Sequence, residues 1–410
     1  MQKKLIALAL AGLASSSAFA QTNVTIYGIV DEFLGYSSAS NNCTKDAVGL
    51  CIPGTGGDQT AFGLGTGGLS GTRLGFKGEE ALGNGLKAIF LYELGSLNPG
   101  EGGAPYPGGA ATSNGITNTR QSYVGLSGGW GTAVGGRLQT PGYDFSVMYN
   151  PMSGSIFSPQ NWISGQSGMT IQPGNNGRLN NAIAYISPNF SGFTGKLAYA
   201  FGEQTTGSNL PGGFDSAQGV WGLGLDYANG PLAVGLAYHN LSNIAGTSNA
   251  LGARDLSQWE LAIGASYDFK IVKLFGSWQN LNQDNFRTTV SPVGALGVQT
   301  PIAGSINGGS LDGNLWNLGG KIPVGANGAV NLAYSQYYNN ISGPSNDQRV
   351  GVYGIDYEYS FSKRTTAYVG YSYTDNGNNT AYGYNYTSGA AVPTDDNSAW
   401  LLGAGIRHSF

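Results

Sequence analysis

Beyond residue 20, no stretch of this chain carries the run of about 20 apolar residues that a membrane-crossing helix needs. Apolar residues instead recur at every second position through sixteen segments, each near the ~9 to 11 residues of a membrane-crossing strand. The first is Val24 to Tyr36, where Val24, Ile26, Gly28 and Val30 share one face and Thr25, Tyr27, Ile29 and Asp31 the other. The others lie near 71–80, 86–97, 119–127, 131–138, 178–187, 193–202, 218–229, 231–241, 257–268, 271–281, 313–323, 328–338, 349–361, 365–375 and 398–410. A period of two marks an extended strand with one face on an apolar medium. The links between segments alternate too. Short ones such as Leu82-Gly83-Asn84-Gly85, Asn229-Gly230 and Ser362-Lys363-Arg364 hold turn formers or too few residues for anything but a hairpin. Long ones lie near 37–70, 98–118, 139–177, 203–217, 242–256, 282–312, 339–348 and 376–397.

Two architectures suit such a pattern: a transmembrane barrel and a secreted all-β surface protein. Charged residues make up 10% of the chain, well below the ~25% of soluble domains, while 69 of 410 residues are Gly and 11% are aromatic. The mean hydropathy of −0.13 is what results when lipid-facing and water-facing positions alternate. Strand length and the short-long rhythm favour the barrel. The expected fold is therefore all-β, a 16-stranded antiparallel transmembrane β-barrel with short periplasmic turns and long extracellular loops. Closure is required, because an open edge in lipid leaves unpaired N–H and C=O groups at several kcal/mol each. A barrel of this strand number is too wide for its side chains to fill and leaves an aqueous lumen. Aromatic pairs near strand ends, Phe190 with Phe193 and Tyr267 with Phe269, suit interfacial girdles, although the β-propensity of aromatics produces the same clustering.

Lys3 and Lys4, the apolar run Leu5 to Leu13 and Ala18-Phe19-Ala20 have the order of a Sec signal peptide. The expected division is thus 1–20 signal peptide and 21–410 a single barrel domain. A formal charge of −4, more negative once Lys3 and Lys4 are removed, gives no support for a nucleic-acid partner. Cys43 and Cys51 lie in the first long link of an exported chain, which predicts a loop-pinning disulfide; a metal site is the rival, with no His nearby to complete it. Gly63 to Gly68 matches GxGxxG but lacks the flanking strand and helix of a dinucleotide site, so it reads as a flexible outer loop. His239 and His408 fall in strands without a nucleophile, so no catalytic residues are assigned.

Several phrases, in order, resemble the trimeric general porins of Gram-negative outer membranes in their β-proteobacterial form. They are Val24-Thr25-Ile26-Tyr27-Gly28-Ile29-Val30-Asp31, Gly71-Thr72-Arg73-Leu74-Gly75-Phe76-Lys77-Gly78-Glu79-Glu80, Arg120-Gln121-Ser122-Tyr123-Val124-Gly125-Leu126, Gly135-Gly136-Arg137 and Gly405-Ile406-Arg407-His408-Ser409-Phe410. The resemblance implies an outer-membrane homotrimer in contact with lipid, without cofactor or metal. It also implies a third outer loop folded into the lumen, and Phe410 as the signal read by the barrel-assembly machinery.

Function in such a channel rests on fixed charges at the narrowest point. Alternation with Leu74 and Phe76 outward turns Arg73, Lys77 and Glu79 inward; Tyr123 outward turns Arg120, Ser122 and Val124 inward; Val134 outward turns Arg137 inward. Arg73, Lys77, Arg120 and Arg137 are the expected basic wall, the family resemblance placing a basic cluster there, with Asp31, Glu79 and Glu93 as partial counterweights. Asp144 is the one acidic residue in the third long link, 139–177, which otherwise holds Tyr143, Phe145, Met148, Tyr149, Ile156, Phe157 and Trp162. That content predicts an apolar constriction. The expected function is passive diffusion of ions and small hydrophilic solutes with mild anion preference. The alternative is a substrate-specific channel in which the loop aromatics form a platform for a sugar or aromatic solute.

Overall fold

The computed structural model describes residues 23–40, 58–95, 118–201, 219–245, 255–287, 307–341, 348–377, 384 and 397–410. The expected signal peptide 1–20 and the Cys43–Cys51 disulfide lie outside the described residues. In chain order the strands are β1 (Asn23–Ala39), β2 (Gln59–Thr66), β3 (Arg73–Gly83), β4 (Leu86–Gly95), β5 (Asn118–Gly128), β6 (Gly131–Gln139), β7 (Arg178–Ile186), β8 (Phe193–Phe201) and β9 (Gly219–Asn229). They continue as β10 (Leu232–Ala245), β11 (Asp255–Asp268), β12 (Lys273–Arg287), β13 (Asn307–Val324), β14 (Gly328–Ile341), β15 (Gln348–Ser360), β16 (Thr365–Gly377) and β17 (Ala399–Ser409). Two helices, α1 (Pro141–Met148) and α2 (Pro159–Gln166), lie between β6 and β7.

From β3 onward each strand pairs antiparallel with the next, and β1 closes the ring against β17 from Ile29↔Ser409 to Ala39↔Ala399. On its other edge β1 changes partner halfway. Asn23 to Ile29 pair with β3, and Glu32 to Ala39 pair with β2. The wall is therefore a closed 16-stranded antiparallel barrel in which β2 continues the place of β3 along upper β1. This corrects the reading of Gly63 to Gly68 as a flexible outer loop: Gly63 to Thr66 are laddered to β1. Spacing alone hid the strand, because only Phe62 and Leu64 present apolar side chains outward.

Leu, Ile and Val project from the outer face of the wall, among them Ile26, Leu318, Ile355 and Ile406. In lipid each contributes roughly 1.5–3 kcal/mol relative to water. On the last strand Leu402, Ala404, Ile406, His408 and Phe410 face outward while Leu401 and Gly403 face in. Phe410 exchanges backbone hydrogen bonds with Gly28, and its ring lies across that glycine, where a Cβ would come within 2.3 Å of the ring.

The segment between β6 and β7 turns into the lumen. Thr140 Oγ1 accepts from Tyr143 N–H and Pro141 opens α1, while Ser158 and Pro159 open α2 in the same way. Phe145, Tyr149 and Ile171 pack on Ala237 and Ala262 of the inner wall. Ile156, Phe157 and Trp162 join Phe33, Tyr368 and Leu401, and Ile163 and Met169 join Leu315, Tyr337 and Val352. Glycines make the seat: a Cβ on Gly370 would stand 2.5 Å from the Phe157 ring. The expectation of an apolar constriction is thereby corrected for most of the loop's apolar residues, while Met148 stays exposed. Phe145, Tyr149, Ile156, Phe157 and Trp162 are at most 2% exposed and face the wall, not the water.

Candidate pore constriction

Arg120 reaches the lumen by a route that parity does not predict. Val124 is 65% exposed on the outer face, opposite Phe90, whereas Tyr123 and Val134 turn inward to pack with Ala182 and Ala184. The expected orientations of Tyr123, Val124 and Val134 were thus reversed. Between Glu93↔Gln121 and Leu94↔Thr119 the ladder slips by one residue, and Arg120 is the one left over. A bulge re-aims a side chain, and here it sends Arg120 to the same side as Glu93.

There Arg120 Nε donates to Glu93 Oε1 at 2.6 Å, and Nη2 donates to the Tyr143 hydroxyl at 3.3 Å. Tyr27 donates its hydroxyl proton to Glu93 Oε2 at 2.8 Å. Glu93 is 4% exposed and saturated by these partners, so it offsets Arg120 without presenting free charge to the lumen. Arg178, the first residue of β7, lies with its guanidinium 4.7 Å from the centre of the Tyr143 ring and donates Nη1–H to Gly174 O at 2.9 Å. Its Nε and Nη2 are buried with no hydrogen-bond partner among the described residues. Burial by itself raises the Tyr143 hydroxyl pKa, but the combined field of Arg120, Arg178 and Arg73 outweighs it and holds the group below the ordinary tyrosine value.

Arg137 also falls at a ladder irregularity, between Gly136 and Leu138. It donates to Thr119 O at 2.5 Å, to Asn175 Oδ1 at 2.6 Å and to Asn180 Oδ1, all neutral oxygens. Arg73 Nε donates to Gly71 O at 3.0 Å. Asp144, on α1, is ion-paired with Lys196 at 2.6 Å, and Lys196 also donates to Gln139 O. The remaining candidates lie apart from this group. Lys77 is exposed with its ammonium 5.4 Å from the Tyr27 ring centre, and Glu79 pairs with exposed Lys87 at 2.8 Å close to the β3–β4 turn. Asp31 is fully buried and accepts from Leu69 N–H, Ser70 N–H and the Tyr368 hydroxyl, which tie the inward turn after β2 to the wall. It meets no lumen water.

The structure therefore gathers Arg73, Arg120, Arg137, Glu93 and Asp144 around Tyr143 and adds two residues that sequence reasoning passed over, Arg178 and Lys196. Lys196 shares parity with the inward Ala198 and Ala200, whereas Arg178 lies beyond the ladder slip between Leu179 and Ala182, so parity with Ala182 and Ala184 does not carry to it. Small residues marked the inner face of β8, and that was the available signal for Lys196 alone. No group of three or more metal-ligating side chains occurs among the described residues.

Comparison with known proteins agrees with this architecture. A family described as Gram-negative porin matches residues 7–380. Outer membrane porin protein 32 of Delftia acidovorans is 32% identical, with all of both chains covered. An outer membrane porin protein of Bordetella pertussis is 30% identical, again over all of both chains. The solved structure described as an anion-selective porin from Comamonas acidovorans superposes with a TM-score of 0.67 at 29% identity, covering 95% of this chain and 100% of that one.

Proposed function

The chain belongs to the Gram-negative porin family, and we propose that the arginines gathered on Tyr143 give its diffusion pore a mild preference for anions. It is an outer-membrane porin: ions and small hydrophilic solutes cross its water-filled lumen passively, past the infolded third loop. The observation that carries the selectivity is Arg178, whose Nε and Nη2 have no hydrogen-bond partner among the described residues while Arg120 and Arg137 stand in the same field. Glu93 and Asp144 are each engaged by a cation, Arg120 and Lys196, so the cluster retains excess positive charge. Two unit charges ~7 Å apart interact by only ~0.6 kcal/mol in water. One arginine therefore gives a weak bias, and several acting together give a measurable one. The solved Comamonas relative is described as anion-selective, in keeping with this reading.

Reversal potentials across a KCl gradient provide the test. Replacing Arg178 and Arg137 by Gln is expected to move the potential toward cation preference; an unchanged value would refute the assignment. A substrate-specific channel with an aromatic platform has no support, since the loop aromatics are turned to the wall and the Tyr143 face is occupied by Arg178. A homotrimer, export through residues 1–20 and recognition of Phe410 during assembly belong to the same proposal; the basic-apolar-small order of residues 3–20 supports the second, and the pairing of Phe410 with Gly28 at the barrel closure is in keeping with the third.

A further inference from the structure

Two buried polar residues on the inner wall have no part in the arginine cluster. His239 on β10 and Glu260 on β11 are direct cross-strand partners, and both lie beneath the third loop, 1% and 0% exposed. Gly142 N–H, at the head of α1, donates to His239 Nε2 at 3.1 Å, and His239 Nδ1 lies 2.8 Å from Thr170 Oγ1 on the returning limb. A backbone N–H can only donate, so Nε2 accepts and the ring proton sits on Nδ1. That proton goes to Thr170 Oγ1, whose own hydrogen goes to Glu260 Oε1 at 2.8 Å. Glu260 also accepts Thr170 N–H at 2.7 Å and Ile171 N–H at 3.0 Å, and the side-chain amides of Gln258 and Gln279 donate to it.

Every donor in this chain points from the loop's entry through the imidazole to the carboxylate, so the network is complete only when both limbs are seated. We infer that His239 and Glu260 act as one latch that holds the entering and returning limbs of the third loop together and so positions Tyr143 between Arg120 and Arg178. The link to the constriction is covalent. Gly142 precedes Tyr143 and cannot shift without moving the ring that Arg178 covers and the hydroxyl that Arg120 reaches. Gly142 is itself matched to the imidazole, since a Cβ there would stand 2.5 Å from His239 Cε1. Apolar contacts with Ala237 and Ala262 hold α1 against the wall but are non-directional. The hydrogen-bonded chain supplies the register they lack. His239 and Glu260 are therefore positioning residues for the ion path.

The test uses the full-length channel in planar bilayers, with barrel integrity followed by heat-modifiable mobility on gels. Thr170→Val keeps the side-chain volume and removes both hydroxyl links, in a loop residue outside the wall. Thr170→Val, His239→Leu and Glu260→Ala are expected to raise single-channel conductance and open-channel noise and to move the reversal potential toward zero. His239→Gln, whose amide can accept from Gly142 and donate to Thr170, is expected to restore parental values. Parental conductance and noise in intact Thr170→Val barrels would overturn the inference, as would His239→Gln behaving like His239→Leu. Where the wall variants fail to assemble, Thr170→Val decides alone. The latch rests on the pore reading only in that the loop borders the ion path, and conductance and noise report it even where the parent channel proves unselective.

Discussion

At the residue scale, the unit of function is a charge whose neighbours decide how much of it reaches the solute. Glu93 illustrates this. It faces the lumen, yet Arg120 and Tyr27 occupy both its oxygens. Glu93→Gln keeps an acceptor for Arg120 and removes one negative charge from the cluster. The chloride-over-potassium permeability ratio is expected to rise by roughly two- to threefold, the factor that ~0.6 kcal/mol provides for a unit charge ~7 Å away in water. A ratio measured at or below the parental value would show that Glu93 is not felt in the ion path. Residue roles were only partly legible in the sequence. Arg73, Arg120 and Arg137 stand out as basic residues in a chain with 10% charge, but Asp31 looks like a lumen carboxylate and is spent on Leu69, Ser70 and Tyr368. Hydrogen-bond partners 38, 39 and 337 positions away in sequence leave no local mark.

Elements were read best where lipid imposes the pattern. All sixteen expected membrane segments appear as strands, because each lipid-facing position must be apolar and each strand must span a fixed thickness. β10, β12 and β13 extend to Ala245, Arg287 and back to Asn307, past the expected ends, since a hairpin beyond the bilayer keeps its ladder without needing an apolar face. Orientation failed at β5 and β6. The slip at Glu93/Leu94 puts one extra residue on β5 and the slip at Gly136/Leu138 puts one on β7, and a period of two has no tolerance for one extra residue. The third loop shows the same dependence on partners. Gly354, Gly370 and Gly403, on three adjacent strands, leave the space that Phe157 fills. Gly370→Leu on β16 is expected to unseat Phe157 and raise single-channel conductance while the barrel still closes. Unchanged conductance would mean that the loop tip keeps its place without this seat.

For the whole molecule, a wide closed barrel narrowed by one seated loop predicts diffusion without saturation. Solute flux into liposomes is expected to rise linearly with concentration and to fall with solute size; a plateau for one solute would point to a binding site in the path. What the sequence by itself determined is the barrel: strand number, antiparallel order, closure and location follow from two-residue periodicity and alternating link lengths, because a bilayer acts on every strand alike. Only the tertiary structure decided what narrows the lumen. The apolar stretch 141–171 can face water or wall with equal sense in one dimension, and the choice is made by glycine hollows, the His239–Glu260 pair and the inward turn after β2, contributed by strands far apart in the chain. Arg178 and Lys196 enter the constriction for the same reason: which inward residues meet is a property of the ring and the seated loop together, and no segment carries it alone.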